Sequence, residues 1–384
     1  MYLIQRLTGV ISYAFFAVLM YLMIPKVKGF RIHINFYILI LALMGFLYIP
    51  LAGSDLFRIQ DALELYTNMS IKEIWNEMFS SSTPMAVLYY HIVGKLGDNR
   101  LLPFINSIIT YGCSFGIIIG LYYKRDCRIS DKHFFSLAIF FFMSRGLFMA
   151  TIANIRSMLS LSIIALCVYK IIIEEKKFIK YIFLCILASL MHAVGLVAMI
   201  LLIIFYIIRI NNKQKIIVKG LEVIGLLIFG LYYGKLYINS AYDMGLAYID
   251  ASRSSTGYFY IWEFILSIIV LSITIIIALT YKLNIKKTVD RNFFMDNKIS
   301  TQFVDFILFL LMIDIGLFFV EFNIAYRLSW LITILDMPLI IILFKSNICL
   351  GVRKKGFYNF ILIISFLMLF IACARGDLCS LKFS

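Results

Sequence analysis

Apolar residues in this chain do not alternate with polar ones; they gather into long, nearly unbroken runs such as 135–142, 163–173 and 266–279. Each run lies within an apolar stretch of about 18 to 24 residues, which at 1.5 Å rise per residue matches the ~30 Å of hydrocarbon in a bilayer. Backbone exposed to lipid must be satisfied internally, so only helices or a closed barrel can cross, and barrel strands are about ten residues long and alternate in polarity. The pattern therefore predicts helices, at about 3–24, 34–52, 101–123, 133–150, 156–173, 181–190 with 193–208, 219–237, 258–281, 302–320, 328–344 and 357–374. The stretch 84–97 is apolar but too short to span, and is expected as an interfacial or re-entrant piece.

Between these runs lie basic clusters at 26–31, 124–132, 176–180, 209–219, 282–298 and 345–355. The positive-inside rule assigns all six to the cytoplasm. That is self-consistent when 181–208 is a hairpin of two short helices broken near Met191-His192-Ala193. A single tilted helix there leaves one basic cluster on the wrong side. The expected architecture is an all-α polytopic integral membrane protein of about 11–12 transmembrane helices. It forms one transmembrane domain over 1–384, with outer loops at about 53–100, 238–257 and 321–327.

Composition removes alternatives. With 62% hydrophobic residues, 15% charged residues and a mean hydropathy of +0.95, a water-soluble fold is excluded. A net charge of +15 suggests nucleic acid in a soluble protein, but here it is topological, and no nucleic-acid partner is expected. The seven cysteines form no C-x-x-C pair and have no histidine at ligand spacing; they read as small core residues, with Cys373 and Cys379 able to pair in an oxidising compartment. The first segment lacks a small-residue cleavage site and reads as a retained anchor.

Once sidedness is fixed, the remaining charges fall at the opposite face: Asp55, Arg58, Asp61, Glu64, Lys72, Arg100, Arg145, Arg156, Asp243, Asp250, Arg253, Glu321 and Arg327, with His192 near that level. Charges this close to apolar sequence call for a partner, a cavity or a ligand. Asp55 reads equally as a helix N-cap and as a catalytic or binding carboxylate. Arg156 either snorkels or, with Asn154, Ser157 and Ser160 nearby and Arg145 ending the preceding helix, faces an anion. Two guanidinium forks in one cleft suit a diphosphate. His192 is either a hydrogen-bonded hairpin tip or a base. The loop 237–260 carries Asp243, Asp250, Arg253 and five tyrosines, a composition fit for sugar stacking and equally for an interfacial aromatic belt. Residues 322–327 read as a short outer turn in which Arg327 anchors a phosphate or caps the next helix. Asp305, Asp314 and Asp336 lie within apolar spans and would suit an ion-coupled transporter.

Gly53-Ser54-Asp55 after the second span, Ile155-Arg156-Ser157 at a helix start, Met191-His192-Ala193 in a later hairpin and Tyr326-Arg327 near the end form a constellation. In it the chain resembles the EpsG-like and Wzy-type bacterial polysaccharide polymerases, with Ser157 where glutamine is usual. The resemblance implies a GT-C-like membrane glycosyltransferase that joins undecaprenyl-diphosphate-linked oligosaccharide units at the outer surface of the bacterial cytoplasmic membrane. On that reading Arg156, Arg145, Arg327 and Arg58 hold the diphosphate, Asp250, Arg253 and Tyr326 meet sugar, and His192 or Asp55 is the base, with His192 preferred. No metal and no cofactor is expected. The implied partners are the bilayer, a chain-length regulator and a flippase. A lipid-linked oligosaccharide flippase, another glycosyltransferase and an acyltransferase of surface glycans are the competing readings.

Overall fold

The computed structural model describes residues 2–50, 54–124, 131–208, 257–285, 297–345, 352–374 and 381–383. The expected span 219–237 lies outside the described residues. Among those residues the chain is helical, without strands apart from an isolated bridge between Tyr48 and Phe383. The helices run α1 Tyr2–Met23, α2 Phe30–Leu47, α3 Asp55–Asn68, α4 Ile71–Ser80, α5 Pro84–Gly94, α6 Leu101–Lys124, α7 Lys132–Ser144, α8 Leu147–Ala153 and α9 Ile155–Val168. A π-helical turn at Tyr169–Ile173 extends α9, and α10 Phe178–Ser189, α11 Ala193–Ile208, α12 Gly257–Ile285, α13 Asn297–Val320, α14 Phe322–Lys345 and α15 Val352–Ala374 follow. Seven of these are long and apolar enough to cross a membrane, or eight if the bent pair α7/α8 counts as one; α1, α10 and α11 are shorter apolar helices.

Burial separates the roles of the helices. α14 is apolar on every face, and each residue from Leu328 to Phe344 is buried, as a helix at the centre of a bundle requires. It packs against α7, α9, α12 and α13. The peripheral helices instead turn large apolar side chains outward, among them Phe15, Ile32, Phe36, Leu283, Met312, Ile363 and Phe370. In water such a surface would aggregate; against lipid it is the expected exterior.

Among the described residues, the basic clusters at 26–31, 124–132 and 345–355 meet at one end of the bundle. Lys132 donates to the Val27 carbonyl, Lys345 reaches Asp131 at 2.7 Å and Lys170 pairs with Glu174 at 2.9 Å. Asp305, expected as an isolated intramembrane carboxylate, is bridged by Lys282 and more than a third exposed. Asp336 is buried and accepts from Thr274 at 2.9 Å, and Asp314 is fully buried.

Two expected elements take a different form. The span at 133–150 is broken: Gly146 adopts φ +79°, a left-handed conformation that glycine enters without a Cβ clash, and α7 and α8 diverge by 59°. The outer turn expected at 321–327 is reduced to Glu321, because Phe322–Arg327 already form the first turns of α14. The outer segment 53–100 holds α3, α4 and α5, the last within the short apolar stretch 84–97, with a Ser70–Glu73 capping box starting α4 and Pro84 in the first turn of α5. The hairpin at 181–208 breaks at Leu190–His192, where the charge pattern requires it.

Candidate anion site at the end opposite the basic loops

The chain concentrates its helix breaks at the end opposite the basic clusters. α7 stops at Ser144, α8 runs seven residues across to Ala153, and α9 begins at Ile155. This places Arg145 at one break and Arg156 in the first turn after the next. The turn between α10 and α11 brings His192 to the same end, and α14 opens there with Tyr326 and Arg327.

Close helix contact fixes these positions. Ser160, one turn beyond Arg156, donates to the Ala188 carbonyl at 2.6 Å, tying α9 to α10. Gly195 makes room for it, since a Cβ there would overlap the Ser160 hydroxyl. Small residues at such crossings replace the hydrophobic drive that lipid removes. The Met85 amide reaches the Leu190 carbonyl at 3.3 Å, so α5 starts against the same turn.

Arg145 and Glu263 are both 2% exposed and form an ion pair of 2.8 Å across α7/α8 and α12. Ser267 accepts from Arg145 at 3.2 Å, the Tyr326 hydroxyl donates to Glu263 at 3.2 Å, and the Arg145 guanidinium lies 5.8 Å from the Tyr326 ring centre. Tyr326 is further held by Phe322, stacked at 6.0 Å, and Trp330, edge-on at 5.0 Å. Arg145 is thus engaged by a carboxylate, and Glu263 is a site-end residue that sequence reasoning missed. A glutamate near the start of an otherwise apolar span was the available signal.

Arg327 is employed differently. Its Nη1 lies 2.9 Å from Nε2 of His192, while the Val194 amide approaches Nδ1 at 3.2 Å. Burial, and then the guanidiniums of Arg327 and Arg156, hold the His192 imidazole well below the ordinary histidine range. At neutral pH the ring is therefore uncharged. Arg156 and Arg327 are half-buried, and among the described residues neither has a carboxylate within ion-pair distance. Two cations without a carboxylate partner among the described residues thus act on one neutral imidazole, Arg327 by direct contact and Arg156 electrostatically.

The α3–α5 layer supplies a further polar group. Tyr90 is 5% exposed, its hydroxyl has no hydrogen-bond partner among the described residues, and its ring centre lies 5.9 Å from that of Tyr66. Burial raises its pKa, Arg156 lowers it, and Tyr66 and Asp55 raise it, which places all three within electrostatic reach of this hydroxyl. Tyr90 is a second residue that sequence reasoning missed, and an apolar-looking eleven-residue helix gave no signal for it. Asp55 itself is exposed and bridges to Arg58 three residues on. It is not the N-cap: Ser54 caps α3 by accepting from the Phe57 amide at 3.3 Å. Gly53, Asp250 and Arg253 lie outside the described residues.

The profile of the EpsG family, a Wzy-like polysaccharide polymerase family, matches residues 32–378, nearly the whole chain. No curated protein and no solved structure matches significantly.

Proposed function

The chain belongs to the EpsG family, and from that premise we propose that it polymerises lipid-diphosphate-linked oligosaccharide units at the outer face of the cytoplasmic membrane. Membership supports a polysaccharide-polymerase-like role in general. The observation that carries the finer reading is the pair of guanidiniums, Arg156 and Arg327, without carboxylate partners among the described residues, Arg327 in contact with the neutral imidazole of His192 and Arg156 within electrostatic reach of it. The basic end of the bundle faces the cytoplasm by the positive-inside rule, so this site faces outward.

The chemistry then follows from the groups present. A sugar hydroxyl of the acceptor unit attacks the anomeric carbon of the donor chain. A new carbon–oxygen glycosidic bond forms, and the bond from the anomeric carbon to the diphosphate oxygen breaks. The electron pair leaves with the lipid diphosphate, whose growing charge Arg156 and Arg327 stabilise with planar, bidentate forks. The hydroxyl proton passes to His192, which is uncharged and able to accept it. Arg145, sealed against Glu263, positions Tyr326 and thereby the start of α14, while the Tyr90 hydroxyl, buried and without a hydrogen-bond partner among the described residues, is a candidate to meet a sugar hydroxyl or a phosphate oxygen. Asp250 and Arg253 remain candidates for sugar contact, as does Tyr326.

The test is to deplete the protein in its host and separate lipid-linked and surface glycans on a gel. Single units displayed outside without a ladder support a polymerase, and wild-type protein, but not Arg156→Ala, restores the ladder. Units trapped inside overturn this reading in favour of a transporter.

A further inference from the structure

His192 serves two donors with one lone pair. A guanidinium has no acceptor, so the 2.9 Å contact from Arg327 requires the lone pair at Nε2 and the proton at Nδ1. The Val194 amide at 3.2 Å competes for the other nitrogen, and the charged, shorter contact prevails. With the lone pair at Nε2, the nitrogen that would take the proton is the one Arg327 covers. Arg327 has only this ring as its polar side-chain contact among the described residues, and a neutral imidazole is a poor partner for a half-buried cation.

We propose that Arg327 is a substrate-operated latch on His192: a diphosphate bound at the arginine site draws the guanidinium away and uncovers Nε2, so the base becomes available only when a leaving group is in place. The inference rests on the diphosphate reading of this site. A dianionic phosphate oxygen outcompetes an imidazole nitrogen for a guanidinium because both charge and bidentate geometry favour it. The bound anion also offsets the cationic charge near His192, which favours the ring's protonated form at the moment of attack. Coupling base exposure to donor binding would suppress activation of acceptor hydroxyls, or of water, when no donor is present. Arg327 is in this respect a positioning residue, acting through His192. Arg156, on the neighbouring helix and without a described counterion, remains to hold the diphosphate once Arg327 has turned toward it.

The test is the rate at which diethyl pyrocarbonate carbethoxylates His192 in the purified full-length protein, read by peptide mass spectrometry. His33, His91 and His133 serve as internal references. Inorganic pyrophosphate is the probe, and its binding is followed independently by phosphorus NMR. The latch predicts that saturating pyrophosphate speeds labelling of His192 several-fold and leaves the other three histidines unchanged. Arg327→Gln should label His192 at the fast rate without pyrophosphate and show no further response; the wild-type response stands by itself if that variant fails to fold. Binding of pyrophosphate with unchanged or slower labelling overturns the latch while leaving the anion site standing. Absence of binding overturns the diphosphate reading, and the latch with it.

Discussion

Two arginine centres occupy the same end of the bundle and are built in opposite ways. Arg145 is sealed, 2% exposed and neutralised at 2.8 Å by an equally buried Glu263. Arg156 and Arg327 are half-buried and lack a carboxylate among the described residues; Arg327 meets a neutral histidine instead, and Arg156 lies within electrostatic reach of it. Taking charges out of water is costly, and Glu263 offsets that cost for Arg145 within the fold. For Arg156 and Arg327 no described residue supplies that compensation, which is the arrangement the proposed anion receptor calls for. The centres are joined where Tyr326, bonded to Glu263, precedes Arg327 in α14. Among the described residues, counterion supply rather than residue type separates Arg145 from the two arginines proposed to receive an anion.

The comparison breaks most severely at the sealed pair. Arg145→Ala or Glu263→Ala leaves a buried charge unmatched and is expected to cost about 3–5 kcal/mol of stability, seen as loss of the monodisperse peak and a lower melting temperature in detergent. Replacing both with leucine should recover most of that stability, because an apolar pair leaves no stranded charge. If either single substitution left stability untouched while abolishing polymerisation, Arg145 would belong with the receptor arginines after all.

Arg156→Ala has the opposite signature. Its membrane insertion and melting behaviour should match wild type, while ladder formation falls by roughly 10²–10³-fold, the loss typical when one donor to a developing oxyanion is removed. Arg156→Lys should restore only part, since lysine keeps the charge and loses the fork. Normal polymerisation by Arg156→Ala would sink the receptor assignment.

The contrast between the two centres was only half legible in the sequence. Run length and the placement of lysine and arginine specify the helices, and the requirement that basic clusters share one side specifies the break at Leu190–His192. Those signals are local or additive along the chain. The partner of Arg145 lies 118 positions away in α12, and pattern cannot report which of several arginines a distant carboxylate will neutralise. Arg145 and Arg156 therefore look equivalent in sequence, and only packing separates them. The same limit hides Tyr90, whose importance comes from the layer above the hairpin. The cap of α3 failed for a smaller reason: Ser54 and Asp55 are adjacent capping types, and a one-residue shift moves the carboxylate from the cap into the first turn.

A smaller effect probes the join between α9 and the hairpin. Gly195→Ala brings a methyl group onto the Ser160 hydroxyl and should cost about 1–3 kcal/mol, the usual price of overpacking a tight contact. Because the displaced turn carries His192, ladder formation should fall further than stability alone explains. Adding Ser160→Ala should relieve both losses, as measured by melting and by the glycan gel.

The smallest expected effect decides between the two candidate bases. Asp55 is exposed and paired with Arg58 on the surface of α3, so the pair is worth about 0–1 kcal/mol and its loss should barely move the melting temperature. His192 is mostly buried against Arg327, within electrostatic reach of Arg156, and is uncharged at neutral pH, the condition a proton acceptor must meet. His192→Gln keeps a polar side chain but removes the basic nitrogen, and is expected to lower polymerisation by about 10²–10⁴-fold. Asp55→Asn, which removes a charge within reach of Tyr90 but no buried partner, should change it by less than about fivefold, the equivalent of the surface pair's full worth. The reverse ranking, with Asp55→Asn the more damaging at equal protein level, would move the base to α3. It would then require α3 to close over the site in the presence of substrate, because the carboxylate as it stands points its charge at Arg58.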